Sequence, residues 1–152
     1  MIEWKQMIIR RMTIEDYEQV YRLWLGTPGM GLNSVDDSRE GIACYLRRNP
    51  ATCFVAEKDG VVTGVILSGH DGRRGFIHHM AVAEKDQRQG IGEQLLAKAM
   101  EALGKEHIHK VALVVFENNL KGNAFWEKQG FVARADLVYR NKAISETTRI
   151  DT

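Results

Sequence analysis

The sequence predicts an α/β fold, a mixed sheet with helices packed on it, within one domain. Three observations carry this prediction. The chain has 152 residues, the length of a single domain, and such a domain buries roughly 70% of the surface its unfolded chain exposes. Stretches rich in β-branched residues alternate with stretches whose apolar positions follow the helical period. Apolar residues make up 44% and charged residues 27% of the chain, an ordinary globular balance. No internal repeat or low-complexity tract interrupts the pattern. The predicted order is β-α-α-β-β-β-α-β-α-β-β. The domain is expected over residues 7–143, after a short extension at 1–6 and before a polar, frayed tail at 144–152.

Residues 7–12 (M-I-I-R-R-M) read as the first strand. Thr13 caps the next helix, with Asp16 as its capping-box partner. That helix, residues 14–25, spaces Tyr17, Val20, Tyr21 and Trp24 on one stripe and ends at Gly26. Residues 26–37 (G-T-P-G-M-G-L-N-S-V-D-D) form the one long loop, either a lid facing a substrate or a packed surface connection. A second helix spans 38–48, with Ile42, Tyr45 and Leu46 inward, and Pro50 stops it.

Residues 52–58 and 61–68 are two strands joined by a hairpin turn at Asp59-Gly60. A looser turn at 69–75 leads to a third strand at 75–82 (G-F-I-H-H-M-A-V). In the helix at 90–103 the apolar positions Ile91, Leu95, Leu96, Ala99, Met100 and Leu103 follow the helical period, and Gly104 is its expected C-cap. Residues 110–116 (K-V-A-L-V-V-F) form a continuous apolar strand, as at a buried sheet centre. Asn119 caps a last helix running to Gln129. Two short strands, 131–135 and 137–141, complete the sheet.

Lys plus Arg number 21 and Asp plus Glu 20, for a net charge of +1. That balance argues against nucleic acid as a partner. No apolar run approaches the ~20 residues that cross a membrane, and residues 1–12 carry no signal-peptide core. The expected location is cytoplasmic. Cys44 and Cys53 have neither CxxC spacing nor a metal-like grouping, so they read as reduced, partly buried thiols. His107-x-His109 lies in a helix-to-strand connection without nearby Cys or clustered carboxylates, so no metal is expected. Arg73-Arg74, beside His70 and Asp71, reads as a solvated turn.

The strongest chemical signal is the join between the third strand of the meander and the helix that starts near Gly90. Glycines at 90 and 92 let backbone approach a ligand closely. The first turn of a helix offers unpaired N–H groups and about half a positive charge, which suits a pyrophosphate. Arg88 can add a charge-assisted contact. The Rossmann fingerprint would need a third glycine near Leu95, and the Walker motif would need Gly-Lys-Ser/Thr. Neither is present.

The segment Gln87-Arg88-Gln89-Gly90-Ile91-Gly92 resembles the Gln/Arg-x-x-Gly-x-Gly/Ala signature of the GCN5-related N-acetyltransferase (GNAT) family. Met80-Ala81-Val82 before it and Glu93-Gln94-Leu95-Leu96 after it also match. Downstream, Asn119 followed by Phe125-Trp126-Glu127-Lys128-Gln129-Gly130-Phe131 resembles the family's second motif. The element order from Met7 to Asn141 agrees. The resemblance implies the single-domain acyl-CoA N-acyltransferase fold. It also implies acetyl-CoA as co-substrate and direct transfer of acetyl to a primary amine of a small molecule or protein. Met80, Ala81 and Val82 would pair with the pantetheine arm. Gln87, Arg88, Gln89, Gly90, Ile91, Gly92 and Glu93 would cradle the pyrophosphate, and Asn119 and Trp126 would lie near the cofactor. Homodimers are common in such families.

Two familiar catalytic positions are altered. Trp126 stands where many relatives place a Tyr that protonates the leaving thiolate. Phe76 stands where histone-acetylating members place a Glu. His78 and His79 become the candidates for a base, since an unperturbed His, pKa ~6.5, suits deprotonating an ammonium. Strand alternation would put Phe76, His78, Met80 and Val82 on one face and Ile77, His79 and Ala81 on the other. Tyr139 is the candidate stand-in for the missing Tyr. The rival reading is a catalytically silent CoA-binding or CoA-sensing module of the same fold.

Overall fold

A computed structural model describes residues 6–150; the expected extension at 1–6 lies almost wholly outside them. A five-stranded sheet runs in the order β1-β2-β3-β4-β5. Its strands are β1 (Met7–Arg11), β2 (Phe54–Lys58), β3 (Val61–His70), β4 (Gly75–Val82) and β5 (Val111–Ala112). The first four are mutually antiparallel, and β5 is parallel to β4. Helices α1 (Tyr17–Leu25) and α2 (Arg39–Arg48) precede β2, α3 (Ile91–Lys105) joins β4 to β5, and α4 (Leu120–Lys128) follows.

Period-two alternation sorts the sheet residues onto two cores. Val55, Val65, Leu67 and Ala81 pack with Val20, Trp24 and Ile42 of α1 and α2. Phe54, Ala56, Ile66 and Ile77 pack with Ile91, Leu95, Leu96 and Ala99 of α3. Burying each Val, Leu, Ile or Phe side chain among them stabilises the fold by roughly 1.5–3 kcal/mol. Gly64 lets α3 lie close against β3. A Cβ there would stand 3.0 Å from Leu95 and 3.2 Å from Ile91.

Caps and turns follow the sequence closely. The Thr13 N–H donates to Asp16 at 2.9 Å, and the Ser38 hydroxyl caps α2 by accepting from the Gly41 N–H at 3.0 Å. Asp59 and Gly60 both take positive φ, as the two-residue hairpin requires. Arg10 binds Asp16 through two bonds of 2.7 and 2.9 Å and reaches Glu57 at 3.1 Å. This ties the start of α1 to two strands.

Four expectations are corrected. The apolar segment 110–116 pairs with β4 only at Val111 and Ala112. It is the sheet's last strand among the described residues, not its centre. Segments 131–135 and 137–141 form no strand, because no described neighbour supplies a ladder for them. α3 runs through Gly104 to Lys105, and the left-handed residue after it is His107. The tail is not wholly frayed: Asn33 and Arg149 form a β-bridge. The Ser34 N–H also donates to the Thr148 carbonyl at 2.8 Å. No helix among the described residues is long and apolar enough to cross a membrane.

Candidate active site

The parallel pairing of β4 and β5 stops after Phe76 and Ala112. Beyond that point the strands part and leave a cleft of about 1110 Å³. Its walls are the second half of β4, residues 113–115, the start of α3 and the inner face of α4. Residues 26–30 of the long loop form its cover. That loop lies directly on the far wall. A Cβ on Gly31, at φ +71, would touch the Phe116 ring at 3.4 Å, and one on Gly29, at φ +78, would stand 3.5 Å from the Asn119 amide.

At one end of the cleft the chain turns from β4 into α3. Gly90 takes a left-handed φ of 80° as the N-cap and supplies no side-chain cap. The N–H groups of Ile91, Gly92 and Glu93 therefore have no acceptor among the described residues. The first paired amide is Gln94, donating to the Gly90 carbonyl at 3.1 Å. Arg88 is also left-handed, at φ 65°. Gln87 braces the turn by donating to the Val82 carbonyl at 3.0 Å and accepting from Lys121 at 2.8 Å. Lys58 binds Gln89 at 2.6 Å and Asp86 at 3.2 Å. Glu93 sits in the first turn of α3, where a carboxylate complements the helix dipole.

Midway along the cleft, β4 carries a bulge. Leu67 pairs with His79 and Ser68 with Ile77, so His78 is the extra residue. The bulge overturns the expected alternation. Ile77 joins Met80 and Val82 on the α3 side, while His79 and Ala81 face the α1 side. His78 packs on the same side, with its ring 5.3 Å from Tyr45 and 4.7 Å from Phe76. Both histidines line the cleft.

Their environments differ. The His79 Nε2 is 2.7 Å from the Asp37 carboxylate, and both side chains are nine-tenths buried. A carboxylate only accepts, so Nε2 is the donor of this bond. Nδ1 is buried without a hydrogen-bond partner, and the ring lies edge-on to Trp24 at 4.9 Å. Asp37 also accepts from the Asn33 N–H at 2.9 Å, while its carbonyl accepts from the Tyr17 hydroxyl at 2.6 Å. His78 makes no such bond and keeps an open face. Desolvation by the surrounding rings, and then the neighbouring His79, hold its pKa below the usual histidine value.

Asn119 caps α4 by accepting from the Gly122 N–H at 2.9 Å. Trp126 lines the cleft and packs between Phe125 and Phe131 at 5.0 and 5.1 Å. Met80, Ala81, Val82, Gln87, Arg88, Gly90, Ile91, Gly92, Glu93 and Asn119 also line it; Gln89 does not, being turned toward Lys58. Tyr139 is corrected: it is 68% exposed on the segment after α4 and is not part of the cleft wall.

The model of the acetyltransferase (GNAT) family matches residues 17–131. The chain belongs to the GNAT acetyltransferase family. It is 29% identical over 122 residues to an acetyltransferase of Pectobacterium atrosepticum, covering 80% of this chain and 85% of that one. The crystal structure of Ard1 from Thermoplasma volcanium superposes with a TM-score of 0.75 at 26% identity, covering 85% and 84% of the two chains. A PaiA N-acetyltransferase from Thermoplasma acidophilum, solved with coenzyme A, superposes at 0.68 with 19% identity, covering 82% and 88%. The GNAT membership makes the chain an N-acetyltransferase.

Three features of this site escaped the sequence. Asp37 sits in a loop whose sequence does not reveal its pairing with a residue 42 positions away. The bulge at His78 leaves no compositional mark. Lys121 is a single charge on α4 with no motif around it. It lies two residues past the expected capping Asn119, a position that does not reveal its contact with Gln87.

Proposed function

We propose that the cleft binds acetyl-CoA and that the acetyl group passes directly from its thioester to a primary amine of a small molecule or protein. The observation that carries this is the set of unpaired N–H groups at Ile91, Gly92 and Glu93, opening on the cleft behind a left-handed glycine. Such a terminus suits a pyrophosphate, and Lys121 adds positive charge beside it. The residues present therefore fit the co-substrate. The PaiA relative, which holds coenzyme A, supports the same assignment.

In this reading the β4 edge left open by the splay, at Met80, Ala81 and Val82, borders the pantetheine arm. Gln87, Arg88, Gly90, Ile91, Gly92 and Glu93 hold the pyrophosphate, with Gln89 bracing the loop from outside. Asn119 and Trp126 flank the thioester. The amine nitrogen attacks the thioester carbon, a C–N bond forms, the C–S bond breaks, and CoA leaves as the thiolate. Positioning the two reactants contributes up to ~7–11 kcal/mol.

The proton released by the amine needs an acceptor. His78 is the better placed of the two histidines, because its ring is open to the cleft and its lowered pKa keeps it neutral at pH 7. His79 is held by Asp37 and anchors the loop cover. A thiol has a pKa near ~8.5, so the leaving thiolate takes its proton from water without the Tyr that Trp126 replaces.

A thiol-release assay with acetyl-CoA and a panel of amines, including peptide N-termini, lysine and polyamines, tests the reading. Release with at least one amine is expected. Replacing His78 by Ala should lower turnover by on the order of 10²-fold, and replacing His79 should chiefly weaken acceptor binding. Binding of acetyl-CoA without release from any amine would favour the silent module instead.

A further inference from the structure

The turn at the phosphate end of the cleft is held from a distant strand. Arg88 and Gly90 are both left-handed, at φ 65° and 80°. Arg88 is not a glycine, so its backbone conformation is costly and needs support from outside the turn. Part of that support comes from Lys58, the last residue of β2. Its backbone is paired on both sides, with Met7 of β1 and Val61 of β3, so the root of the side chain is fixed. Period two places it on the face of Phe54 and Ala56, which pack on α3. From there its ammonium donates to Gln89 at 2.6 Å and to Asp86 at 3.2 Å.

The Asp86 end of this bracket poses an electrostatic problem. Asp86 lines the cleft together with Gln87 and Arg88. It is 7% exposed, and its Oδ2 is buried with no hydrogen-bond partner among the described residues. A buried carboxylate in the wall of an anion site repels the anion. Lys58 is the ammonium paired with it, and both side chains are largely shielded from water, so salt screens this pair weakly. Arg88 and Lys121, the cations that line the cleft nearby, are exposed.

We propose that Lys58 is a positioning residue for the phosphate end of the cleft. It pins Gln89, and with it the strained turn, and it cancels the Asp86 charge that would otherwise oppose a pyrophosphate. The proposal rests on the reading that the first turn of α3 seats the pyrophosphate of CoA.

Equilibrium dialysis against CoA and against pantetheine, which lacks the pyrophosphate, tests it on folded variants. Lys58→Met should weaken CoA by at least about tenfold and leave pantetheine within about twofold. Asp86→Asn alone should tighten CoA by about threefold, since the Lys58 charge then acts on the ligand uncancelled. Adding Asp86→Asn to Lys58→Met should bring CoA back to within about threefold of the wild type, because the uncompensated buried charge is gone. A bracket that only holds the turn predicts otherwise: Asp86→Asn no tighter than the wild type, and the double variant no better than Lys58→Met. Either of those results, or an unchanged CoA affinity in Lys58→Met, would overturn the proposal while the wild type still prefers CoA to pantetheine. A wild type that binds both alike would instead remove the pyrophosphate reading, and the proposal with it. If Lys58→Met does not fold, Asp86→Asn decides alone, and a CoA affinity at or below that of the wild type counts against Lys58.

Discussion

Replacing Asp37 by Ala tests the anchoring of the loop cover. The carboxylate accepts from the His79 ring at 2.7 Å and from the Asn33 N–H at 2.9 Å. Both donors lose their partner in the variant, and a buried donor left unpaired costs about 1–3 kcal/mol. Two such donors set a range of about 2–6 kcal/mol. Relief of the carboxylate's own desolvation places the value in the lower half, about 2–4 kcal/mol. That is a large share of the ~5–15 kcal/mol that holds a domain folded. Asp37→Asn should behave differently. Its carbonyl oxygen can accept from Asn33 while its amide donates to Nε2, moving the ring proton to Nδ1. It should lose less than the Ala variant, about 1–3 kcal/mol, because only the Nδ1 proton, buried without a partner, is left unpaired. Urea unfolding followed by circular dichroism, with linear extrapolation, measures both. An Asp37→Ala loss below about 0.5 kcal/mol, or an Asn variant as weak as the Ala variant, would refute the anchoring argument.

Other outcomes follow from the same geometry. Burial pushes the Cys53 thiol up to about 12, whereas Cys44 is exposed, so a disulfide reagent should titrate one thiol in the native protein and two in urea. The kcat/KM profile should fall as pH drops through the lowered His78 pKa, because protonation removes the base, and His78→Ala should lose that limb. Burial of Asp16 opposes its charge, yet the Arg10 and Thr13 hydrogen bonds outweigh it and hold its pKa below the usual carboxylate value. Stability from this group is present above its unfolded pKa of ~3.9 and is lost as pH falls through the lower folded value. Asp16→Asn should flatten that acid loss and, with Arg10 partly solvated, cost about 1–3 kcal/mol at pH 7 in urea unfolding.

Much of the fold was legible because local chemistry and tertiary position agree. Thr13, Ser38, Asn119 and Asp59-Gly60 sit where their side chains or backbone freedom predict, and the apolar stripe of α3 is buried except at Met100, which is exposed. The cleft end at Gln87 to Gly92 was legible for the same reason. It depends on a short segment whose glycine and flanking strand and helix are contiguous. What was not legible depends on pairing at a distance. Residues 110–116 and 131–141 have strand composition, but composition does not state whether a ladder partner exists. One inserted residue at His78 swaps the faces of everything before it, and alternation alone cannot show where the count slips. Asp37 became a site residue only because the loop folds onto β4. Tyr139 was displaced for the reason that its strand lacks a partner in the chain.

The most direct test of the central claim is a calorimetric comparison of CoA, acetyl-CoA and pantetheine, the last lacking the pyrophosphate, on the wild type and Gly92→Asp. The new Cβ meets only ordinary contacts, with Phe125 at 3.4 Å and Met80 at 3.5 Å, and a carboxylate suits a helix's first turn. The fold should therefore stand while the anion site gains a negative charge. Saturable binding of CoA and acetyl-CoA is expected, with pantetheine at least tenfold weaker and CoA affinity reduced at least tenfold in the variant. Equal affinity for CoA and pantetheine, or an unchanged affinity in a folded Gly92→Asp, would contradict a pyrophosphate seated on the first turn of α3.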